Sequence, residues 1–360
     1  MTGLDGQLSE TDGEHNRAVI QAVLDTAGGC VLPPQRIPVD GGLVLGDDRT
    51  LAGTSAGSGA VPESGTGAVL VSGTADARPV VHVLGSRTAV RDLTIELPPS
   101  ACGPHEGARF TALTIGDYLY PDRPEWIEDV TVDRLRVVRE AQCPSNSVAV
   151  MGAVRGVALR DLDVTGGGTG IAVHWGAVAP SVYEITGPSF HPYRLLVDGL
   201  RVRDAYEGFY LSSVHDVDVR DVTCDNVEIG FRLLPGDNTD AYHEDPTRSE
   251  VSSRITVAGV RAGWHGIYAI RVAGWGRSEV DREVRRLAYR DVTISGCELT
   301  ALAATARLAG RTRRAVVVEH ADGVRFDGIA LGDGAPTGEA MLDGRPAALA
   351  ELPIGPSRTR

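Results

Sequence analysis

Apolar and polar residues alternate in a short pattern that recurs along most of the chain. Each copy reads apolar, any, apolar, any, Asp or Gly, apolar, any, apolar. The copies lie at residues 90–95, 157–164, 196–202, 217–222, 255–260, 287–294 and 324–329. Alternation with a period of two is typical of a β-strand with one buried face. Because the Asp or Gly breaks the alternation, the pattern predicts strands that bend sharply once in each copy.

The spacing of the bend residues predicts a solenoid. These residues are Asp161, Gly199, Asp221, Gly259, Asp291 and Gly328. The shortest interval is about 22 residues, the length of one bare coil, and the longer intervals add a loop of about 10–16 residues. An antiparallel sandwich would need hairpin turns far more often, and a leucine-rich repeat would show Leu and Asn at fixed places. We therefore predict an all-β fold, namely a right-handed parallel β-helix built as a single-stranded solenoid.

The first residues predict a short helix at the N-terminal end of the solenoid. Thr11, Asp12 and Glu14 can cap an amphipathic stretch at 16–24, and Gly28 ends it. Such a helix would cover the apolar core that the first coil leaves open. The predicted organisation is a capping helix at 1–30, a β-helix domain at 31–334 and a polar tail at 335–360.

This N-terminal region resembles the signature of the pectate-lyase superfamily of parallel β-helix proteins. The matching segments are a helix that ends in Ala27-Gly28-Gly29, the strand and turn at 31–34, Leu43-Val44-Leu45 and Thr50-Leu51-Ala52-Gly53. Together with the coils, the resemblance covers roughly residues 11–331. It implies the fold, and it leaves the activity open, since the superfamily includes polysaccharide lyases, glycoside hydrolases, fructotransferases, epimerases and phage tailspikes.

Composition narrows the chemistry. The formal net charge is −13, so the phosphate backbone of a nucleic acid is not an expected partner. The chain has no lysine, which excludes Schiff-base chemistry on that side chain. The five cysteines form no C-x-x-C pair, so we predict buried free thiols. Because we find neither a secretory signal nor a long apolar run, we expect a cytoplasmic protein with no membrane partner.

Four segments with the order Gly, apolar, any, apolar predict one outward-facing row of side chains. They begin at Gly170, Gly208, Gly230 and Gly266. If these strands stack about 4.8 Å apart, the inward row is Ile171, Phe209, Phe231 and Ile267. The outward row is then Ala172, Tyr210, Arg232 and Tyr268. Just before the glycines stand Glu207, Glu228 and His265, and one step further along stand His174 and Ser212.

Two long loops and three tryptophans fall on the same coils. One loop covers residues 177–191, and the other, 236–245, is rich in acids. Long loops on one side of a solenoid usually wall its binding groove, and exposed indoles make platforms for sugar rings. Trp175, Trp264 and Trp275 belong to this part of the chain. The predicted substrate-binding residues are His174, Trp175, Trp264, Arg271, Asp237, Asp240, His243 and Glu244.

Two mechanisms are compatible with the predicted catalytic residues, which are Glu207, Tyr210, Glu228, Arg232, His265 and Tyr268. In a glycosidase or glycosyl transferase, two carboxylates flank the glycosidic bond and one protonates the leaving oxygen. Glu207 and Glu228 are the first candidate pair, and Asp237, Asp240 and Glu244 are substitutes from the loop. In a lyase, a cation neutralises a uronate carboxylate while a base removes the α-proton. Arg232 or Arg271 is the candidate cation, and the candidate bases are Tyr210, Tyr268 and His265.

Each of these features also has a purely structural interpretation. Tyr210 and Tyr268 could stack as an aromatic ladder, and the two glutamates could pair with Arg232 as structural ions. The acidic loop could simply be solvated, and the tryptophans could fill the interior. Since no EF-hand-like spacing exists, we predict no metal ligands and no cofactor, and calcium is kept as an alternative.

The leading hypothesis is a carbohydrate-active enzyme that cleaves or rearranges a glycosidic bond in a groove on the outer wall. It would be of glycoside hydrolase, fructotransferase or polysaccharide lyase type. Asn238-Thr239-Asp240 matches the first motif of the polygalacturonase branch, but the Asp-Asp element expected on the next coil is absent. The alternatives are a cytoplasmic biosynthetic isomerase, cyclase or dehydratase acting on a small metabolite, and a non-catalytic glycan-binding or tailspike-like protein. Expected partners are an oligosaccharide or small-molecule substrate and further copies of the chain, as a dimer or trimer.

Overall fold

The computed structural model describes residues 2–4, 6–54, 67–73, 78–99, 110–139, 143–181, 186–234, 252–274, 287–304, 308, 311–332 and 340–352. Long parallel sheets run through this part of the chain. Strands of the first sheet, sheet A, are β1 (Thr2–Gly3), β2 (Gly29–Leu32), β3 (Arg36–Val39), β5 (Thr50–Gly53), β6 (Ala68–Ser72), β8 (Ala89–Leu97), β11 (Ile127–Arg139), β13 (Val154–Thr165), β17 (Tyr193–Arg203), β19 (His215–Val227), β21 (Ser253–Trp264), β23 (Leu287–Ala301) and β25 (Ala321–Leu331).

Sheet B lies on the other side of each coil. Its strands are β4 (Leu43–Leu45), β7 (Val81–Val83), β9 (Leu113–Gly116), β12 (Val148–Met151), β14 (Thr169–His174), β18 (Glu207–Ser212), β20 (Ile229–Leu234), β22 (Tyr268–Ala273), β24 (Arg314–Glu319), β26 (Ala340–Leu342) and β27 (Arg345–Ala347). A small sheet C joins β10 (Leu119–Tyr120), β15 (Gly176–Val178) and β16 (Ser189–Phe190).

Successive coils stack in parallel. In sheet A, β17 pairs with β13 on one side and β19 on the other, and in sheet B, β18 pairs with β14 and β20 in the same manner. One coil therefore contributes a strand to sheet A and the next strand of the chain to sheet B. Apolar side chains from both sheets fill the interior, including Val202 and Val219 of sheet A and Phe209 of sheet B. This arrangement confirms the predicted parallel β-solenoid.

At the predicted bends, inside the strands of sheet A, the backbone adopts the left-handed conformation with positive φ. Asp92, Asp161 and Asp221 have φ between 51° and 55°, and Gly199 and Gly259 have φ of 76° and 67°. A positive φ is accessible to Gly, and among other residues Asp adopts it more readily than most. The Asp and Gly residues of the sequence pattern therefore lie at equivalent positions of successive coils, where they form one corner of the solenoid.

Asp291 was assigned to this corner, and that assignment is wrong. In the observed register Ser295 pairs with Ala258 and Asp327, which puts Gly296, with a φ of 59°, in line with Gly259. Asp291 is also left-handed, but it belongs to a second corner earlier in the strand. Both corners use Asp, so the sequence pattern alone does not distinguish them.

The second corner carries acidic and basic side chains on neighbouring coils. Asp48 and Arg87, both with φ above 50°, form a salt bridge of 2.6 Å. Asp216 and Arg254 form another at the same corner further along. Exposed pairs of this kind contribute little stability each, but their alternation avoids like charges on adjacent coils.

A helix precedes the first long coil. Helix α1 runs from Gly13 to Ala27, Asp12 accepts a hydrogen bond from the N–H of His15, and Gly28 at its C-terminal end is left-handed. Ile20 and Leu24 are fully buried. The Gln21 amide exchanges two hydrogen bonds of 2.9 Å with the backbone of Val44 in β4, as a neighbouring strand would. Within the predicted tail, β26 pairs in parallel with β24 and forms a hairpin with β27. No helix of the described residues is long and apolar enough to span a membrane.

Three free thiols lie in the interior, and we predict that they resist alkylation in the native state. Burial raises the pKa of Cys30 to about 11 and the pKa values of Cys224 and Cys297 to about 12. The thiolate is the reactive form, so native protein should label slowly at these positions. Peptide mass spectrometry after iodoacetamide treatment, with and without denaturant, measures this. Half-buried Cys143 is the internal control, and rapid native labelling of Cys224 would contradict the expectation.

Candidate functional site

The outer face of sheet B carries one continuous row of side chains, one per coil. Strand register places them in the order Val44, His82, Thr114, Ala149, Ala172, Tyr210, Arg232, Arg271, Val317 and Met341. The predicted sequence Ala172, Tyr210, Arg232 is therefore observed. Tyr and Arg side chains occupy the central coils of this row, and the coils on either side carry smaller or apolar residues.

The fourth member of the predicted row is corrected. Phe231 pairs with Ile270, not Ile267, and Arg232 pairs with Arg271, not Tyr268. The turn after Trp264 takes up two more residues than the corresponding turn of the preceding coil, so β22 enters the sheet later than expected. Ala269 therefore stands where the earlier coils have glycine. Tyr268 pairs with Arg314 at the edge of the row.

Glu207 and Arg232 form a buried ion pair across two coils. Nε and Nη2 of Arg232 donate to the two carboxylate oxygens of Glu207 at 2.5 and 2.6 Å, and Thr169 donates to the same carboxylate at 3.1 Å. Burial raises the pKa of Glu207, and the hydrogen bonds from Arg232 oppose that rise. Burial by itself lowers the pKa of Arg232, but its bonds to Glu207 raise it overall. Glu207 is fully buried, which matches the structural-ion interpretation and removes it as a carboxylate in direct contact with a substrate.

Rings and guanidinium groups stack along the row. The Arg232 guanidinium carbon lies 4.9 Å from the centre of the Tyr210 ring, within the range of a cation–π contact. The Tyr210 ring lies 5.7 Å from the ring of His174, which in turn contacts Tyr118 at 5.0 Å. Burial raises the pKa of Tyr210, so its phenol stays protonated at neutral pH.

Tyr206 is a site residue that the sequence interpretation missed. It lies at the corner before β18, is 37% exposed, and is stacked beside Glu228 of the next coil, since the N–H of Ile229 donates to the Tyr206 carbonyl at 3.0 Å. Burial raises the pKa of Tyr206, the charge of Glu228 raises it further, and the charge of Arg232 lowers it. The sequence shows only that Tyr206 stands immediately before Glu207. The pairing of neighbouring coils is needed to place Tyr206 beside Glu228.

Glu228 is half-buried under the turn of the following coil. The N–H of Gly266 donates to the Glu228 carbonyl at 3.0 Å, and a Cβ added at Gly266 would lie 2.6 Å from Cγ of Glu228. Glycine is thus required at this close approach. His265, in the same turn, is buried, and its N–H donates to Val227 at 2.9 Å.

Arg271 is the second cation of the row. It donates to one carboxylate oxygen of Glu319 through Nη2 at 2.9 Å and through Nε at 3.1 Å. Its guanidinium carbon lies 5.7 Å from the ring centre of Tyr268. The side chain of Arg271 is 33% exposed, compared with 22% for Arg232. Two guanidinium groups on adjacent coils therefore reach the same face of sheet B.

Trp175 and Trp264 do not form the exposed platforms that the sequence predicts. Trp175 is 2% exposed and Trp264 is fully buried, so sugar rings have no access to their faces in this structure. Both indoles fill space at the ends of strands, where Trp264 packs under Arg313 and Trp175 contacts Tyr118. His174 is half-buried beside Trp175, and its ring nitrogen Nδ1 lies 3.3 Å from the Trp175 carbonyl.

Part of the predicted site lies outside the described residues. This applies to Asp237, Asp240, His243, Glu244 and Trp275. Among the residues that the structure describes, no group of three or more His, Cys, Asp or Glu side chains could hold a metal ion. The predictions on calcium and on the acidic loop therefore stay predictions.

Comparisons with known proteins identify structures with a similar fold. No family model matches the chain, and no curated protein matches it in sequence. Among solved structures, the enzymatically active domain of tailspike protein 2 of bacteriophage CBA120 matches with a TM-score of 0.61 and 10% identity over 94% of this chain, but only 44% of the tailspike chain is covered. Endo-xylogalacturonan hydrolase from Aspergillus tubingensis matches with a TM-score of 0.59 and 11% identity over 97% of both chains. The chain therefore shares the parallel β-helix fold of these two proteins.

Proposed function

We propose that this chain is a carbohydrate-active enzyme with its reaction centre at Tyr206, Glu228, Arg232 and Tyr268. The observation that carries the proposal is the stacking of neighbouring coils at this corner. The N–H of Ile229 donates to the Tyr206 carbonyl at 3.0 Å, which puts Tyr206 beside Glu228, and Glu207, the residue after Tyr206, is bound by Arg232. Tyr268 begins the strand that pairs with β20 on the next coil. A proton donor, a carboxylate and a cation thus converge at one point on the outer wall. Such convergence of titratable groups with a specific charge partner is typical of functional sites.

The likeness to known structures supports the substrate class. One of the two is described as a hydrolase of xylogalacturonan, and the other as an enzymatically active tailspike domain. Both share the fold across nearly all of this chain.

Within this class, the residues favour elimination from a uronate over hydrolysis by two carboxylates. Of the two predicted carboxylates, Glu207 is buried and bound to Arg232, so it does not serve as the second acid that a glycosidase would need beside Glu228. Arg232 and Arg271 bind Glu207 and Glu319 through Nε and Nη2, and their Nη1 groups would donate to a uronate carboxylate. Glu228 would take the proton α to that carboxylate. The bond to the leaving oxygen would break as the new C=C bond forms, and the protonated phenol of Tyr206 would donate its proton to that oxygen.

The test is turnover of a panel of glycans with and without uronate residues, in separate arms with calcium and with chelator. Elimination produces an unsaturated uronate that absorbs in the ultraviolet together with new reducing ends, whereas hydrolysis produces reducing ends alone. Absorbance with uronates only would support the elimination, and reducing ends without absorbance would replace it by hydrolysis. Silence across the panel would contradict a carbohydrate-active role.

Glu228→Gln should lower kcat on the responsive substrate by on the order of a hundredfold, because general base catalysis requires the carboxylate. The matched control is Glu298→Gln, since Glu298 is an exposed carboxylate on sheet A. Steady-state kinetics of the two variants make the comparison. Wild-type kcat in Glu228→Gln would remove Glu228 from the mechanism.

A further inference from the structure

Arg313 makes an unusual set of contacts next to the proposed reaction centre. Its Nε, Nη1 and Nη2 atoms donate to the carbonyl oxygens of Gly266, Leu302 and Trp264 at 2.9, 2.8 and 2.9 Å. Its guanidinium carbon also lies 4.4 Å from the centre of the Trp264 ring. One planar side chain thus joins the end of β23 to both sides of the turn that follows β21.

That turn carries or covers two residues of the site. His265 lies between the two turn carbonyls that Arg313 binds. Gly266 lies close against Glu228, because a Cβ added at Gly266 would lie 2.1 Å from the Glu228 carbonyl oxygen and 2.6 Å from its Cγ. The next residue continues the connection, since the N–H of Arg314 donates to the Ile267 carbonyl at 2.8 Å. Tyr268 then begins β22. A shift of the turn would therefore move His265, Tyr268 and Gly266, the residue that covers Glu228, together.

The chemistry of these contacts requires arginine. Three carbonyl oxygens in different directions match the planar fork of a guanidinium, and a lysine ammonium has no such fixed geometry. The partners are backbone dipoles and a ring face, and burial lowers the pKa of Arg313. The Arg313 cation is thus held by neutral groups. Burying a charge without a counter-ion costs free energy, so we expect this arrangement to have a purpose.

We propose that Arg313 is a positioning residue that fixes the Trp264–Gly266 turn, and through it Glu228, His265 and Tyr268, in the geometry that the reaction needs. The effect on turnover rests on the proposed function, but the effect on the turn does not. Arg313 acts on the reaction centre through this turn, by its bonds to the Gly266 and Trp264 carbonyls. A misplaced catalytic group affects kcat more than binding, whereas a purely structural role would lower stability and leave kcat unchanged.

Two measurements on the full chain separate these roles. Hydrogen exchange at the amides of His265 and Gly266 reports whether the turn is held, because these N–H groups bond to Val227 and Glu228. Kinetics report the consequence. In Arg313→Ala we expect faster exchange at both amides and a kcat lower by on the order of 10- to 100-fold with little change in KM. Arg313→Lys keeps the charge and guards against a folding defect, and it should show the same changes in weaker form.

Two controls sharpen the test. Arg311→Ala removes an exposed arginine two residues away and should change neither quantity. Guanidinium ion at low millimolar concentration, compared with equal sodium chloride, should restore protection and turnover in Arg313→Ala by occupying the vacated position. Unchanged exchange at His265 and Gly266 would overturn the proposal, and so would faster exchange with a wild-type kcat. If the wild-type protein turned over no glycan, the proposed function would fail while the exchange result still decided whether Arg313 holds the turn.

Discussion

Replacing Glu207 with alanine is expected to lower the free energy of unfolding by about 3–5 kcal/mol, because it leaves a largely buried cation without its counter-ion. The Arg232 side chain is 22% exposed, and Glu207 is its carboxylate partner, with bonds of 2.5 and 2.6 Å. The loss should also free the Arg232 guanidinium to rotate away from the Tyr210 ring, so turnover should fall with stability.

Denaturant unfolding measured by circular dichroism gives the change in stability. A double variant, Glu207→Leu with Arg232→Met, is the matched control, since it removes both charges and preserves volume. It should recover most of the lost stability but not turnover, because the cation is then gone. Glu298→Ala, on the exposed face of sheet A, should change stability by less than about 0.5 kcal/mol. A loss below about 1 kcal/mol in Glu207→Ala would mean that the buried pair is not a close contact in solution.

The coil architecture could be predicted because its determinants are local. Alternation gives the buried face of each strand, and the left-handed bends demand Gly or accept Asp, as at Asp161 and Gly199. These preferences act within a few residues of the chain, so one sequence contains them. The exception is instructive: Asp291 and Gly296 both have a positive φ, and only pairing with the neighbouring coil decides which one continues the stack of Gly259.

The site could be predicted only in part, because its geometry depends on distances between coils. Tyr210 and Arg232 were placed correctly since their coils have corners of equal length. Tyr268 was misplaced because the corner before β22 is longer, and a pattern of Gly, apolar, any, apolar does not encode corner length. Burial was the second obstacle. Neither the enclosed position of Trp264 nor that of Glu207 follows from its neighbours in sequence, since the covering groups come from other coils.

Phe231→Ala should lower the free energy of unfolding by about 3–5 kcal/mol, as expected for a large aromatic removed from a filled interior. Phe209 and Phe231 stack inside the solenoid with ring centres 4.6 Å apart and an interplanar angle of 8°, and each is 1% exposed. Each precedes an outward residue of the site, so the stack forms the floor beneath Tyr210 and Arg232. Loss of the floor should therefore reduce turnover as well as stability.

The aromatic contact itself can be separated from the loss of volume by a double-mutant cycle with leucine. Phe209→Leu and Phe231→Leu each keep an apolar side chain at the position, so the coupling between them isolates the ring–ring contact. We expect a coupling of about 0.5–1.5 kcal/mol. Additive losses would show that the rings contribute by filling space alone. In that case the register of β18 and β20, and with it the position of Arg232 beside Glu207, would depend on the backbone ladder and the buried ion pair rather than on the aromatic stack.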